Sequence, residues 1–314
     1  MPLKAAFQMD PMERIDIAGD SSFALMLAGQ ARGAELFHYR PQELNWSDGR
    51  LWTRAHPVTV QRAEGDHYRF GEPVTLDLKR DIDVVLMRQD PPFDLSYIPA
   101  TFLLERLAGE TLVVNDPAAV RNAPEKMLVL DYARFMPPTL ITRSLDEARS
   151  FLSEQAEIVL KPLHGNAGKA IFRIGPDGAN LAALMEMFNA SHGEPHMAQK
   201  FLPEIAEGDK RIILIDGEVA GAVNRFPGKG EIRSNLAVGG RAERAVLTER
   251  EREICAAMGP ELRKRGLLFV GIDVIGGKWL TEINVTSPTG IVAIDKFDGT
   301  DLGAAIWEAI EAKL

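Results

Sequence analysis

The chain has 314 residues, 46% of them hydrophobic, and a formal net charge of −9. That length can bury a large core and predicts two domains, or three small ones with shared interfaces. The acidic balance argues against a general nucleic-acid or anionic-membrane surface, while leaving room for a local basic pocket. Cys255 is the lone cysteine, so no internal disulfide forms and a reducing cytoplasm fits. Within Glu253-Ile254-Cys255-Ala256 it reads as a small buried residue and not as a nucleophile. No apolar run reaches the roughly 18 residues a membrane span needs, and Met1-Pro2-Leu3-Lys4 leads into a strand pattern without a signal-peptide core. The six histidines are read as making no H-x-x-x-H or Cys/His cluster, and so no zinc site.

In chain order, Lys4–Met9 is strand-like, Asp20–Arg32 is helical and stops at Gly33, and Glu35–Arg40 is a second strand. The run Ile82–Met87, a helix near Ser96–Leu107 and the strand Thr111–Asn115 continue the alternation, which predicts an open parallel sheet with helices on its faces. Asp10-Pro11, Arg88–Asp94 and Asn115-Asp116-Pro117 follow strands of this sheet. They are either ordinary turns or the loops where such a sheet collects ligands. Residues 123–200 read as a small separate unit, with a strand ending in Lys161, the strand Ile171–Ile174, a helix around Ala179–Ala190 and the strand His196–Leu202. Residues 201–314 form the last unit. Asp216-Gly217 joins the strands Arg211–Ile215 and Glu218–Phe226 as a hairpin. Thr248 with Glu251 forms a capping box, Ile254, Met258 and Leu262 mark a buried helix face, and Gly266 suits the end of that helix.

The stretch LLFVGIDVIGGKWLTEINVTSP, Leu267–Pro288, carries the most chemistry. A two-residue Gly276-Gly277 turn would set Asp273 opposite Leu280 and Gly271 opposite Glu282. Alternation then puts Asp273, Glu282 and Asn284 on one face, with Gly271 leaving space beside their oxygens. Three oxygen ligands suit a hard cation, Mg²⁺ or Mn²⁺. The other reading is a solvated acidic face, disfavoured because the carboxylates sit within apolar strands.

Lys161 follows Ile158-Val159-Leu160 where an apolar residue is expected, and so either meets an anion or blunts a sheet edge. After it, Leu163–Lys169 contains Gly165, Asn166, Ala167 and Gly168, small residues that let backbone N–H groups approach phosphate, or simply a hairpin loop. It is not a P-loop, because GxxxxGK[ST] is absent and strands flank it on both sides. Arg211, Arg225 and Arg233 come from the Asp216-Gly217 hairpin and the loop behind it. The segment 226–241 alternates basic with small residues, as either a closing lid that delivers guanidinium groups or a surface loop.

Taken together, these pieces resemble the ATP-grasp fold, and more narrowly the prokaryotic glutathione synthetase family. The resemblance runs over essentially the whole chain. It is carried by QMDPMERIDIAGDSSFAL, MRQDPPFD, NAPEKM, LKPLHGNAGKAIFR, GDKRIILIDGE, RSNLAVGGR and LTEINVTSPTG. It implies an ATP-grasp fold preceded by an open parallel α/β N-terminal domain (residues 1–122), with 123–200 as the small lid domain and 201–314 as the C-terminal domain. It implies an ATP-dependent ligase that joins γ-glutamylcysteine and glycine through an acyl phosphate, in the cytoplasm, as a homotetramer.

Carried over by position, Lys126 and Lys161 would bind ATP phosphates with the Gly165–Gly168 loop. Gln199, Lys200, Phe201 and Leu202 would lie beside adenine, and Asp209 near the ribose or hinge. Asp273, Glu282 and Asn284 match metal ligands. Arg211, Arg225 and Arg233 would handle the reacting phosphate. Asp10, Ser21, Ser22, Arg88, Asn235 and Ser287 would stand on the substrate side. Two departures stand out: Ala167 fills a glycine position, and Val292 stands where relatives usually have arginine. A different ATP-grasp amide ligase, or a nucleotide-binding regulator without catalysis, are the competing readings.

Overall fold

Lys4–Gln8 and Val84–Met87 are nearly all-buried runs without a polar face, the pattern of strands covered on both sides. The computed structural model describes residues 2–124, 126–164, 169–228, 230–231, 233–234 and 240–314. Its first unit runs β1 (Lys4–Gln8), α1 (Ser21–Ala31), β2 (Glu35–Tyr39), β3 (Leu44–Ser47), β4 (Arg50–Val60), β5 (Tyr68–Phe70), β6 (Val74–Asp77), β7 (Val84–Met87), α2 (Ile98–Leu104), β8 (Leu112–Val114) and α3 (Pro117–Arg121). The sheet order is β3-β4-β2-β1-β7-β8, with β5 and β6 also paired to β4. The strands β2-β1-β7-β8 are parallel, as their alternation with helices predicts. Onto β2 is added an antiparallel meander built around the long β4, which the sequence reading did not place.

The second sheet comes from β9 (Thr139–Thr142), α4 (Leu145–Gln155), β10 (Ile158–Pro162), β11 (Phe172–Ile174), α5 (Leu181–Ser191) and β12 (His196–Lys200). It is antiparallel in the order β11-β10-β12-β9. Its helices bury Ala148, Leu152, Leu181, Met185 and Phe188 against Ile158, Leu160 and Ala198, an apolar cluster of its own.

The third sheet is β15-β14-β13-β16-β17. It is formed by β13 (Asp209–Ile215), β14 (Glu218–Phe226), β15 (Arg241–Arg244), β16 (Phe269–Ile275) and β17 (Trp279–Asn284), with α6 (Glu249–Lys264), α7 (Ile291–Asp298) and α8 (Leu302–Glu311). Asp216 and Gly217 have φ of 47° and 80°, the paired positive values of a tight hairpin turn. The helix α6 has the expected Thr248–Glu251 capping box, buries Ile254, Met258 and Leu262, and is followed by Gly266 at φ 68°. The Cys255 thiol is buried within it, and burial pushes its pKa up to about 12, as suits an inert core residue.

The first and third units share their cores. Phe23, Leu25 and Met26 of α1 lie in one apolar cluster with Ile306, Trp307 and Ile310 of α8. The Trp307 indole donates to the Leu25 carbonyl at 2.8 Å, and a side chain at Gly29 would meet that ring. Behind β8, Asn115 donates to the carbonyls of Phe269 and Val285 at 2.7 Å each and accepts from the Phe269 N–H at 2.8 Å. Among the described residues no helix is long and apolar enough to cross a membrane.

Candidate active site

The hairpin of β16 and β17 sets the floor of the site, and its register differs from the expected one. Asp273 pairs with Glu282 and Gly271 with Asn284, while Val274 pairs with Leu280 and Ile275 with Trp279. The connection therefore spans Gly276, Gly277 and Lys278, and Thr281 is the extra residue of a bulge. The bulge lets Val274 and Leu280 both enter the core while Asp273, Glu282 and Asn284 keep one face. The space that Gly271 leaves is also used differently: the Arg211 stem fills it, with Cδ 3.1 Å from where a Cβ would stand.

Alternation along β13 and β14 brings two arginines onto the same floor. Arg211 grips Asp273 with Nε at 2.6 Å and Nη2 at 3.0 Å, and donates through Nη1 to the Thr289 carbonyl at 3.1 Å. Arg225 Nη2 lies 2.9 Å from Asp273 Oδ1 and 2.6 Å from Asp209 Oδ2. Burial would raise the Asp273 pKa, but Arg211 and Arg225 outweigh it and hold the carboxyl well below the usual carboxylate range. At Asp209 burial wins over the pull of Arg225, and its pKa is pushed up to about 6. Ser234 donates to Asp209 Oδ2 at 2.7 Å. Across the floor, Lys126 Nζ and Lys161 Nζ stand 3.7 Å and 3.9 Å from Glu282 Oε1. Burial lowers the Lys161 pKa and the Lys126 charge adds to that, while Glu282 opposes both. Lys161 also donates to Gln199 Oε1 at 3.2 Å, and Gln199 Nε2 to Thr139 Oγ1 at 2.9 Å.

These groups line one cleft of about 930 Å³, large enough for a nucleotide with a second ligand. Lys126, Lys161, Gln199, Lys200, Phe201 and Leu202 lie on it, as do Asp209, Arg211, Arg225 and Arg233. Asp273, Glu282, Asn284 and Ser287 complete the expected lining, and Val292 is there too. Arg233 is held by Glu231, Nε to Oε2 at 2.9 Å. Gly165, Asn166, Ala167, Gly168 and Asn235 lie outside the described residues.

Four residues expected on the substrate side stand behind the cleft lining. Arg88, Ser21, Ser22 and Asp10 are not on the cleft surface. Arg88 is buried, donating through Nε to Ser22 Oγ and through Nη2 to the Pro288 carbonyl, both at 2.9 Å, with its guanidinium over the Phe269 ring. Ser21 and Ser22 start α1 and point their bulk into the protein, both buried. Asp10 accepts from the Asp90 N–H at 2.8 Å. The wall is formed instead by their neighbours Arg14, Asp16, Asp20 and Asp90, the last accepting from Ser287 Oγ at 2.6 Å. These were missed one by one, although the loops that carry them were singled out. Away from the cleft, His192 and His196 do form an H-x-x-x-H spacing, their rings 6.3 Å apart, which corrects the expectation that the histidines make none. Among the described residues no three His, Cys, Asp or Glu side chains are arranged to hold a metal ion.

Residues 3–121 match the family model described as prokaryotic glutathione synthetase, N-terminal domain, and residues 125–299 match the ATP-grasp domain of the same family. The chain belongs to the prokaryotic glutathione synthetase family. The glutathione synthetase of Rhodopseudomonas palustris is 55% identical over 313 residues, covering 100% of this chain and 99% of its own. That of Brucella melitensis is 52% identical over 313 residues with 100% of both chains covered, and that of Pseudomonas putida 44% over 316 residues with 100% and 99% covered. Among solved structures, D-cycloserine synthetase superposes with a TM-score of 0.71 at 17% identity, covering 99% of each chain. An ATP-grasp ligase complexed with a minimal precursor gives 0.65 at 17% identity, covering 100% of this chain and 99% of that one. At such identity these two speak for the shared fold alone. Asp273, Glu282 and Asn284 share one face of the cleft floor and carry oxygen donors of the kind a hard divalent cation takes, with Asn284 Nδ2 also donating to Asp273 Oδ2 at 3.3 Å.

Proposed function

We propose that this chain uses ATP to join γ-glutamylcysteine to glycine, forming glutathione with release of ADP and phosphate. The observation that carries the reading is the cleft itself. Lys126 and Lys161 flank Glu282 beside the Arg211–Asp273–Arg225 group, in a chain whose whole length matches glutathione synthetases. A carboxylate is too poor an electrophile for an amine. Its oxygen therefore attacks the γ-phosphorus, ADP leaves, and the acyl phosphate forms. The glycine nitrogen then attacks the acyl carbon, phosphate leaves, and the nitrogen loses its proton.

The protein's part is positioning and charge neutralisation. Lys126 and Lys161 hold the phosphates with the loop 165–168, and Gln199, Lys200, Phe201 and Leu202 border the adenine. Arg211, Arg225 and Arg233 face the transferred phosphoryl group. A divalent ion, Mg²⁺ or Mn²⁺, held by Asp273, Glu282 and Asn284 would neutralise phosphate charge. Asp209 orients Arg225, and Asn235 and Ser287 belong to the substrate side with the wall residues Arg14, Asp16 and Asp90. The functional units are 1–122, 123–200 and 201–314, with 226–241 excluding water from the acyl phosphate. A cytoplasmic homotetramer completes the reading; light scattering on the purified protein tests the tetramer.

The deciding experiment is product identification with ATP, Mg²⁺, γ-glutamylcysteine and glycine. Phosphate release is expected only when both the dipeptide and a small amine are present, glycine best. A preference for D-alanine pairs or for a protein tail would leave only the ATP-grasp chemistry standing.

A further inference from the structure

The segment between β1 and α1 brings Arg14, Asp16 and Asp20 to the wall of the cleft that also holds Lys126 and Lys161. Its own hydrogen bonds shape its turns: Arg14 N–H to the Pro11 carbonyl at 3.0 Å, Ala18 N–H to Asp16 Oδ1 at 3.0 Å, and Asp20 N–H to the Asp16 carbonyl at 2.9 Å. Those bonds do not seat the segment against the rest of the domain. Buried Met12 and the bond that Asp10 accepts from the Asp90 N–H tie its start to the domain, and three side chains add a clamp from behind. His38 on β2 bonds through Nε2 to the Asp10 carbonyl at 3.1 Å, and His67, just before β5, bonds through Nε2 to the Met12 carbonyl at 2.8 Å. Tyr68 donates to Glu13 Oε1 at 3.0 Å. A main-chain carbonyl can only accept, so both imidazoles carry a proton on Nε2. The His67 ring is itself fixed edge-on against Phe23 of α1 at 5.8 Å and against Tyr68 at 4.9 Å. None of the three lines the cleft.

We propose that His67, backed by His38 and Tyr68, is a positioning residue for the dipeptide substrate. It pins the 10–16 turn so that Arg14 and Asp16 meet the carboxylate and ammonium groups of that substrate. The inference rests on the function proposed above. It also accounts for the β4–β5 hairpin, which carries a donor to the back of a substrate loop more than fifty residues earlier in the chain. A loop displaced by about an ångström loses the alignment on which binding and catalysis depend.

The test compares His67→Phe, which keeps a ring against Phe23 but loses the donor, with His67→Gln, whose amide keeps an N–H at similar reach. In His67→Phe the KM for γ-glutamylcysteine is expected to rise about fivefold or more while that for ATP stays within about twofold. His67→Gln is expected to recover most of the loss. Unchanged KM values, an equal rise in both, or no recovery with glutamine would overturn the proposal. Amide hydrogen exchange of residues 10–19 needs no substrate and separates this claim from the functional one. Faster exchange there in His67→Phe, with the second sheet unchanged, is expected, and unchanged exchange overturns the positioning role. Failure of the wild-type protein to use γ-glutamylcysteine would remove the proposed function, while the exchange comparison still decides whether His67 holds the loop.

Discussion

Thr281 Oγ1 donates to the main-chain carbonyl of Asp273 at 3.1 Å, bridging the bulge that sets Asp273 against Glu282. One extra residue in β17 thus aligns the two carboxylates of the cleft floor and sends Leu280 into the core.

Glu282 is the carboxylate that both buried lysines face. Glu282→Gln keeps the shape and removes the charge, so turnover is expected to fall at least about 100-fold. The circular dichroism spectrum should stay that of the wild type. Near-normal turnover at saturating Mg²⁺ would take Glu282 out of the metal and phosphate site.

Asp209 offers a pH signature. Burial pushes its carboxyl up to about 6, so the folded protein holds this proton more tightly than the unfolded chain does. Its contribution to stability is fully present below the ordinary aspartate pKa and is lost as pH rises through about 6. Asp273, depressed by Arg211 and Arg225 against its burial, runs the other way, and its contribution is lost only as the solution becomes strongly acid. The stability of the wild type minus that of Asp209→Asn should therefore fall between about pH 4 and pH 7. Urea denaturation at a series of pH values reads this directly, and a flat difference would mean an ordinary carboxyl.

Arg88 is a clasp beneath the cleft. Arg88→Ala would strip a donor from the Pro288 carbonyl and from Ser22, at a cost of about 2 kcal/mol. Arg88→Lys, which lacks the fork, should restore little of it. Urea midpoints for the two variants check this. Lost γ-glutamylcysteine affinity with undiminished stability would return the guanidinium to the substrate.

At Gly29 an added Cβ would run into Trp307 Cζ2. Gly29→Ala gains up to about 1 kcal/mol of helix propensity, but overpacking a fixed indole costs about 1–3 kcal/mol, so net destabilisation is expected. A lower melting temperature with KM values unchanged is the predicted outcome; a rise would show that Trp307 moves aside freely.

Much of this was legible in the residues. The cap at Thr248–Glu251, the Asp216-Gly217 turn and the parallel strands carry local signals that tertiary packing does not override. The shared face of Asp273, Glu282 and Asn284 could be read because alternation survives either register. The register itself could not, since Gly276-Gly277 invites a two-residue turn and only the core's demand for both Val274 and Leu280 selects the bulge. In the meander, β3, β5 and β6 are too short to show alternation, whereas β4 runs 11 residues with alternating burial and its signal was there to be read. The depth of Arg88 was not legible, because its place in a strand-end loop says nothing about it. A guanidinium there can face the ligand or, as here, stack on Phe269 under the loop that does.

The packing of α1 on α8 also bears on how the chain is made. Phe23, Leu25 and Met26 are synthesised almost first, yet part of their cover is Ile306, Trp307 and Ile310, which come almost last. While the ribosome is still at work, the outer face of α1 has no partner, and the first domain cannot settle into its final packing. Native contacts of such long sequence separation slow folding and leave apolar surface open to aggregation in the interval. A fragment ending at residue 121 would carry the complete first sheet and still behave as an unfinished protein.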